Sequence, residues 1–476
     1  MNRARTRPLR GAAPARDPSL DAHPMADFFA LRLLPMWNYF RKEHLSFWAA
    51  CGYLFVEYVR PQSIVPAIDI LPWGKLFVGL AIGAWLLDQR QKWVSDGTHV
   101  WMVCYLLVVV LACANAYWPD HAWNHFMDFF VWFLVYFLIV NIINSEKRLF
   151  LFLLLFLLAS FKLSQHGART WAMRGFSFEN WGLMGPEGPF QNSGELSVQM
   201  LMFMPIAYRL AICLRPWLSR LKFWFLMAMP ATAFMTVLGA SSRGSQLAMG
   251  FQAYHTLLKG RLSFRVLVVA ALAVAAAIAY LPEEQMNRFR DMGSDETSQQ
   301  RLLYWKHGLT MIQEHPLLGV GFFNFAPYYA QHHPEDVLFG SAQLPHNIFV
   351  QVGTDAGFLG LTVYGLLILA GFRATRQIRR RLKDRPDHWI YGVSLGYDAA
   401  FIGFLIAGQF VTIGYYPFMW VLLAFIIATK NIVLREPLAA TAPASSAAPA
   451  SAAPVRPGLP RSLIRRPGAS VKSDGA

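Results

Sequence analysis

Three side chains have the type and setting for chemistry: Arg243, Arg301 and His346. Arg243 stands in "GASSRGSQ", residues 239–246, between two apolar runs. A charge at the centre of a bilayer costs ~2.5–3.5 kcal/mol on insertion scales, and by default it marks a functional site. Ser241, Ser242, Gly244 and Ser245 around it are small, so backbone N–H groups can approach an anion closely. The competing reading is an interfacial arginine that snorkels to water. Arg301 lies four residues before Trp305 on a helix-patterned segment, and alone it reads as a solvated helix charge. His346 ends a long polar stretch in "LPHNIFVQVGTDAGFLG". Its imidazole is neutral near pH 7 and can serve as a base, or it can be a capping histidine. Asn347 can orient His346 or cap the helix that follows. Asp355 is nine residues on, about 13 Å along an unbroken helix, too far to touch His346.

Other chemistries lack their residues. There is no Walker phosphate loop, since "WGKL" at 73–76 lacks the upstream glycine spacing and the Ser/Thr. No Asp-x-Asp pair, HExxH or CxxC occurs, so neither a metal site nor a cofactor is expected. The four cysteines, Cys51, Cys104, Cys113 and Cys213, all fall in apolar runs and read as small buried hydrophobes.

The elements that must position these residues are membrane helices. The 476-residue chain is 55% hydrophobic and only 15% charged, where a soluble enzyme would carry about 25%. The deficit sits in runs that approach the roughly 20 residues needed to cross a bilayer core. The expected fold is an all-α integral membrane protein of about twelve spans: 45–59, 71–87, 99–117, 124–143, 148–163, 193–213, 223–240, 245–258, 265–281, 347–372, 389–413 and 415–434. With the N-terminus inside, 33 of the 43 Lys and Arg fall in inner segments and nine in outer ones, which puts both termini in the cytoplasm. The basic excess therefore needs no nucleic acid. The expected organisation is a basic cytoplasmic segment at 1–44, spans over 45–281, a large and partly helical outer loop at 282–346, spans over 347–434, and an Ala/Pro/Ser-rich disordered tail at 435–476. Residues 1–44 lack the apolar core of a signal peptide.

Within the outer loop, "DETSQQRLLYWKHGLTMIQEHP" predicts a helix capped by Asp295 or Ser298 and stopped by Pro316. Leu302, Trp305, Leu309 and Ile312 should form its apolar face, and His315 should serve its C-terminus. Asn324 should cap a second short helix through Tyr329, the two lying as a lid over the bundle.

In combination these pieces resemble a known family. "SSRG" between two spans, "RLLYWKHGLTMIQEHPLLGVGFFNF" in the outer loop and "PHNIFVQVGTDAGFLGL" opening the next span resemble the O-antigen ligase and polymerase superfamily. "GPFQNSGELSVQM", 188–200, also looks like that family's Asn-bearing loop opening a helix. "YVRPQSIVPAIDILPWGK", 58–75, is similar to a subgroup described as O-glycosylation ligases associated with exosortase systems. The resemblance implies a metal-independent, inverting glycosyltransferase at the periplasmic face of a bacterial inner membrane. It would move a preassembled glycan from undecaprenyl diphosphate to an acceptor hydroxyl, on lipid A–core or a similar molecule. By the same resemblance Arg243 and Arg301 would hold the diphosphate, and His346 would be the general base. Asn192, Ser242, Gly244, Trp305 and Asn347 would contact substrate.

Two other readings stay open. A polymerase joining repeat units, or a ligase glycosylating protein, would share donor and catalytic residues. A transporter would use intramembrane polar residues as a pathway, but the halves show no corresponding repeat.

Overall fold

The computed structural model describes residues 24–88, 93–177, 182–259 and 295–435, and all regular structure among them is helical. In chain order the helices are α1 (Met25–Phe29), α2 (Leu33–Phe40), α3 (Leu45–Val59), α4 (Pro61–Ile64), α5 (Trp73–Leu87), α6 (Thr98–Ala114), α7 (Pro119–Ile142), α8 (Glu146–Met173), α9 (Ser193–Leu214), α10 (Arg220–Gly239), α11 (Arg243–Lys259), α12 (Glu296–Glu314), α13 (Phe325–His332), α14 (Ile348–Arg381), α15 (Trp389–Ala407) and α16 (Pro417–Arg435).

Each predicted span falls on one of these helices except 265–281, which lies outside the described residues, as do 1–23, 282–294 and 436–476. Seven helices, α7, α8, α9, α10, α14, α15 and α16, are long and apolar enough to cross a membrane; α5 and α6 are shorter apolar helices. Two short helices, α1 and α2, occupy what reads in sequence as a plain basic segment. Phe28 and Phe29 of α1 are buried against Phe150 and Trp389.

Helix ends follow their caps. Ser145, Ser219 and His388 accept the backbone N–H of Arg148, Lys222 and Ile390 at the starts of α8, α10 and α15. The 28 residues of α8 make a rod of about 42 Å against a core about 30 Å thick. The helix continues ten residues past the predicted end of this span at 163. At the centre, α9 packs against α10 and α15, and α16 against α7.

The longest helix, α14, is broken. Gly357 has φ 62° and ψ −162°, a region open essentially to glycine alone. The break strands two backbone groups inside an apolar bundle, where each would be expensive. The outer loop supplies both partners: Val320 N–H donates to Thr354 O at 2.7 Å, and Phe358 N–H donates to Pro316 O at 2.8 Å. A Cβ on Gly357 would lie 2.4 Å from the Leu317 carbonyl. Asp355, two residues earlier, is fully buried, and its carboxyl faces the Phe323 backbone amide.

The loop helix α12 forms with Asp295 as its cap, but its buried face differs from the expected one. Tyr304, His307, Met311 and Ile312 are buried, whereas Leu302 and Leu309 are each 55% exposed. The cause is α13, whose Phe325 and Tyr329 pack edge-to-face against Tyr304. The polar members of that face are paired: Gln300 donates to Asp336 O, and His307 meets the Asp336 carboxylate at 2.6 Å. Asn324 precedes α13 without a side-chain cap bond. Its amide instead accepts Trp118 N–H at 2.6 Å and donates to Phe322 O, tying the loop to α7.

Candidate active site

The N-terminus of α9 presents Asn192 and Glu195. Glu195 accepts the Asn192 backbone N–H at 3.3 Å and its side-chain amide at 3.1 Å, so the cap is reciprocal and rigid. One turn deeper, Ser197 Oγ donates to Ser245 Oγ, which also receives Ser242 Oγ at 3.0 Å. This hydroxyl chain pins the α10–α11 turn to α9. The turn is tight: Ser241 sits at φ 55°, and a Cβ on Gly244 would come within 2.5 Å of the Phe410 ring. Arg243 follows as the first residue of α11.

Arg243 meets α12. Its guanidinium donates to Asp295 Oδ2 at 3.2 Å and Oδ1 at 3.3 Å, and approaches Ser298 Oγ at 3.4 Å. Asp295 meanwhile caps α12 by accepting Ser298 N–H. Burial works against its charge, but the bonds from Ser298 and Arg243 hold its carboxyl below the usual range. Arg301, two turns along α12, has a buried Nε with no hydrogen-bond partner among the described residues. Burial and then the like charge of Arg243 lower its pKa, although an arginine stays charged at neutral pH. Two cations thus share one side of the site with a single paired carboxylate.

His346 comes in on the connection to α14. It is half-buried, at φ 51°, and its backbone N–H donates to Thr412 Oγ1 at 2.8 Å. Trp305 Nε1 donates to Pro345 O at 2.9 Å, which fixes the connection against α12. The ring lies 3.3 Å from Gln343 Oε1; in the tautomer that donates there from Nε2, Nδ1 keeps its lone pair. Burial, then the Arg301 guanidinium, push the imidazole down to about 4. Asn347 is a cap: its Oδ1 accepts Phe349 and Val350 N–H, and its amide donates to Gln409.

These pieces enclose one cavity of about 1230 Å³. Arg243, Arg301, His346, Asn192, Ser242, Gly244 and Trp305 all line it, and Asn347 does not. Comparison with known proteins adds the decisive observation. Residues 226–365 match the family model described as O-antigen ligase. This part of the chain is similar to O-antigen ligases. It carries Arg243, Arg301, Trp305 and His346, and ligase- or polymerase-type glycan transfer is the activity its family supports. Residues 25–213, with Asn192, match a family of unknown function. No curated protein matches the chain.

Outside the expected set, the cavity wall includes Glu195, Asp295, Gln343, Thr412 and Tyr416. Glu195 had a signal, since an acid three residues after Asn192 is a capping pattern. Asp295 reads in sequence only as a cap. Its second role, on Arg243 across 52 residues of chain, leaves no mark in hydropathy.

Proposed function

We propose that this protein transfers a preassembled glycan from undecaprenyl diphosphate to an acceptor hydroxyl, on lipid A–core or a similar molecule, at the periplasmic face of a bacterial inner membrane, both termini being cytoplasmic. One observation carries the reading: two guanidinium groups and a neutral imidazole share a single large cavity beside apolar helices. Guanidinium forks bind phosphate oxygens in pairs and keep their charge, so Arg243 and Arg301 suit a diphosphate leaving group. The acceptor oxygen attacks the anomeric carbon as the bond to the diphosphate oxygen breaks. The electron pair leaves on the diphosphate, where fixed cations stabilise it. The acceptor proton passes to His346, a step typically worth ~10²–10⁴-fold in rate. Attack opposite the leaving group inverts the anomeric centre, and no metal is required.

Donor binding also improves the base. The diphosphate charge offsets the Arg301 guanidinium that depresses His346, and so raises the imidazole toward its ordinary range.

Deletion of the gene followed by a glycan profile tests the reading. Long unligated polymer on the lipid carrier indicates a ligase, and single repeat units indicate a polymerase. Unchanged glycans sink both. Polymerisation of repeat units and glycosylation of protein are the alternatives within this chemistry, since the donor site would be the same.

A further inference from the structure

The cavity is larger than a diphosphate needs. At about 1230 Å³ it exceeds the ~300–1,000 Å³ that encloses a drug-sized ligand. Its two guanidinium groups belong to α11 and α12, whereas the α9 corner carries Asn192 and Glu195, with Tyr416 beside them. Glu195 is only 5% exposed. Besides the two Asn192 donors, its carboxylate has the Tyr416 hydroxyl close by. It forms no ion pair among the described residues; Arg243 pairs with Asp295 instead. A carboxylate placed this way repels a diphosphate. Sugar hydroxyls suit it, because they donate to carboxylate and amide oxygens and accept from amide N–H and phenol groups.

We propose that the Asn192–Glu195–Tyr416 corner is the subsite for the acceptor's saccharide, an inference that rests on the glycan-transfer reading above. Glu195 accepts from the sugar hydroxyls, and the Arg243–Arg301 side takes the donor's anion. Tyr416 and Thr412 lie on one turn between α15 and α16, and Thr412 holds the His346 backbone, so the acceptor subsite and the base share a support. The corner also lies largely in a different part of the chain from the donor chemistry. Asn192 and Glu195 fall in the segment matching the family of unknown function, and the arginines and His346 in the segment matching O-antigen ligases. Acceptor choice can then vary while the donor chemistry stays fixed.

The test uses the full chain in lipid nanodiscs, with lipopolysaccharide core oligosaccharide and inorganic pyrophosphate titrated separately by calorimetry. Glu195→Gln keeps the shape and an acceptor oxygen, and Tyr416→Phe removes the hydroxyl near Glu195 while leaving both Asn192–Glu195 bonds of the α9 cap. The expected result is an oligosaccharide Kd raised about tenfold or more by Glu195→Gln, the loss of one charge-assisted hydrogen bond, and less by Tyr416→Phe. The pyrophosphate Kd should stay within about twofold, since that probe sits on the arginines. Unchanged oligosaccharide affinity in both variants overturns the subsite, as does a parallel loss of pyrophosphate binding. So does a wild-type protein that binds pyrophosphate but no core oligosaccharide, while leaving the donor reading intact. A wild-type protein that binds no pyrophosphate sinks the donor reading and the subsite with it.

Discussion

Arg243 and Asp295 form an ion pair at the wall of the cavity, Nη2 to Oδ2 at 3.2 Å, with both side chains partly open to solvent. The carboxylate occupies a guanidinium face that the donor's diphosphate is expected to use, so substrate must compete with it. Asparagine caps a helix as well as aspartate does. Asp295→Asn should therefore keep α12 in place and raise pyrophosphate affinity. Exposed pairs are worth ~0.2–1 kcal/mol, so the gain should reach about fivefold at most. Weaker binding in the variant would mean that Asp295 orients Arg243 rather than competing with the substrate.

Arg243→Lys and Arg301→Lys each replace a planar fork by a point charge. Transfer from a lipid-diphosphate donor should fall by ~10²–10³-fold, the range seen when one stabilising donor is lost from a transition-state site. Thermal melting should move little, because neither cavity-lining guanidinium packs in the core. Near-normal transfer by both variants removes the proposed role.

His346→Ala should abolish transfer yet leave pyrophosphate binding intact. The pH dependence has a definite sign. The imidazole works as the neutral form, so activity falls as pH drops through its pKa, which sits at about 4 in the free protein. Bound diphosphate offsets Arg301 and raises that pKa. The acid limb of kcat should consequently lie at higher pH than that of kcat/KM for the donor. Coincident limbs would disconnect His346 from the arginine that depresses it.

Gly357→Ala places a Cβ against the Leu317 carbonyl and forces an L-residue into a glycine-only region. Strain of this kind costs about 1–3 kcal/mol, and the backbone clash adds to it. A lowered melting temperature with reduced transfer is the expected outcome. An unchanged melt would mean that α14 straightens at no cost.

Treatment with EDTA should leave transfer undiminished, since the reaction proposed draws its charge stabilisation from guanidinium groups. Inhibition reversed by added Mg²⁺ or Mn²⁺ would count against it.

Apolar runs were readable as helices, while the capping serines in front of them, Ser145 and Ser219, set starts a few residues earlier than the runs themselves. Ends were not, because Arg, Lys and Gln favour helix as well as water. The polar continuations of α8 to Met173 and of α14 to Arg381 therefore look like loop in hydropathy alone. Arg243 stood out because charge is costly beside apolar runs, whereas Arg301 and His346 read alone as a helix charge and a capping histidine and gained their roles from the family resemblance. Asn347 was ambiguous between cap and ligand, and the packing resolves it as a cap. The buried face of α12 differs from the periodic one because Tyr304 gains from Phe325 and Tyr329, partners that helical periodicity does not reveal.

The hydrogen bonds that join Pro316 and Val320 to either side of the break in α14 have a consequence for engineering. The outer loop is not a detachable module. A chimera that exchanges it at the apparent membrane boundary, just after His346, would leave Thr354 and Phe358 with mismatched partners deep in the bundle. Grafts intended to change substrate preference should carry the first three turns of α14, through Phe358, together with the loop.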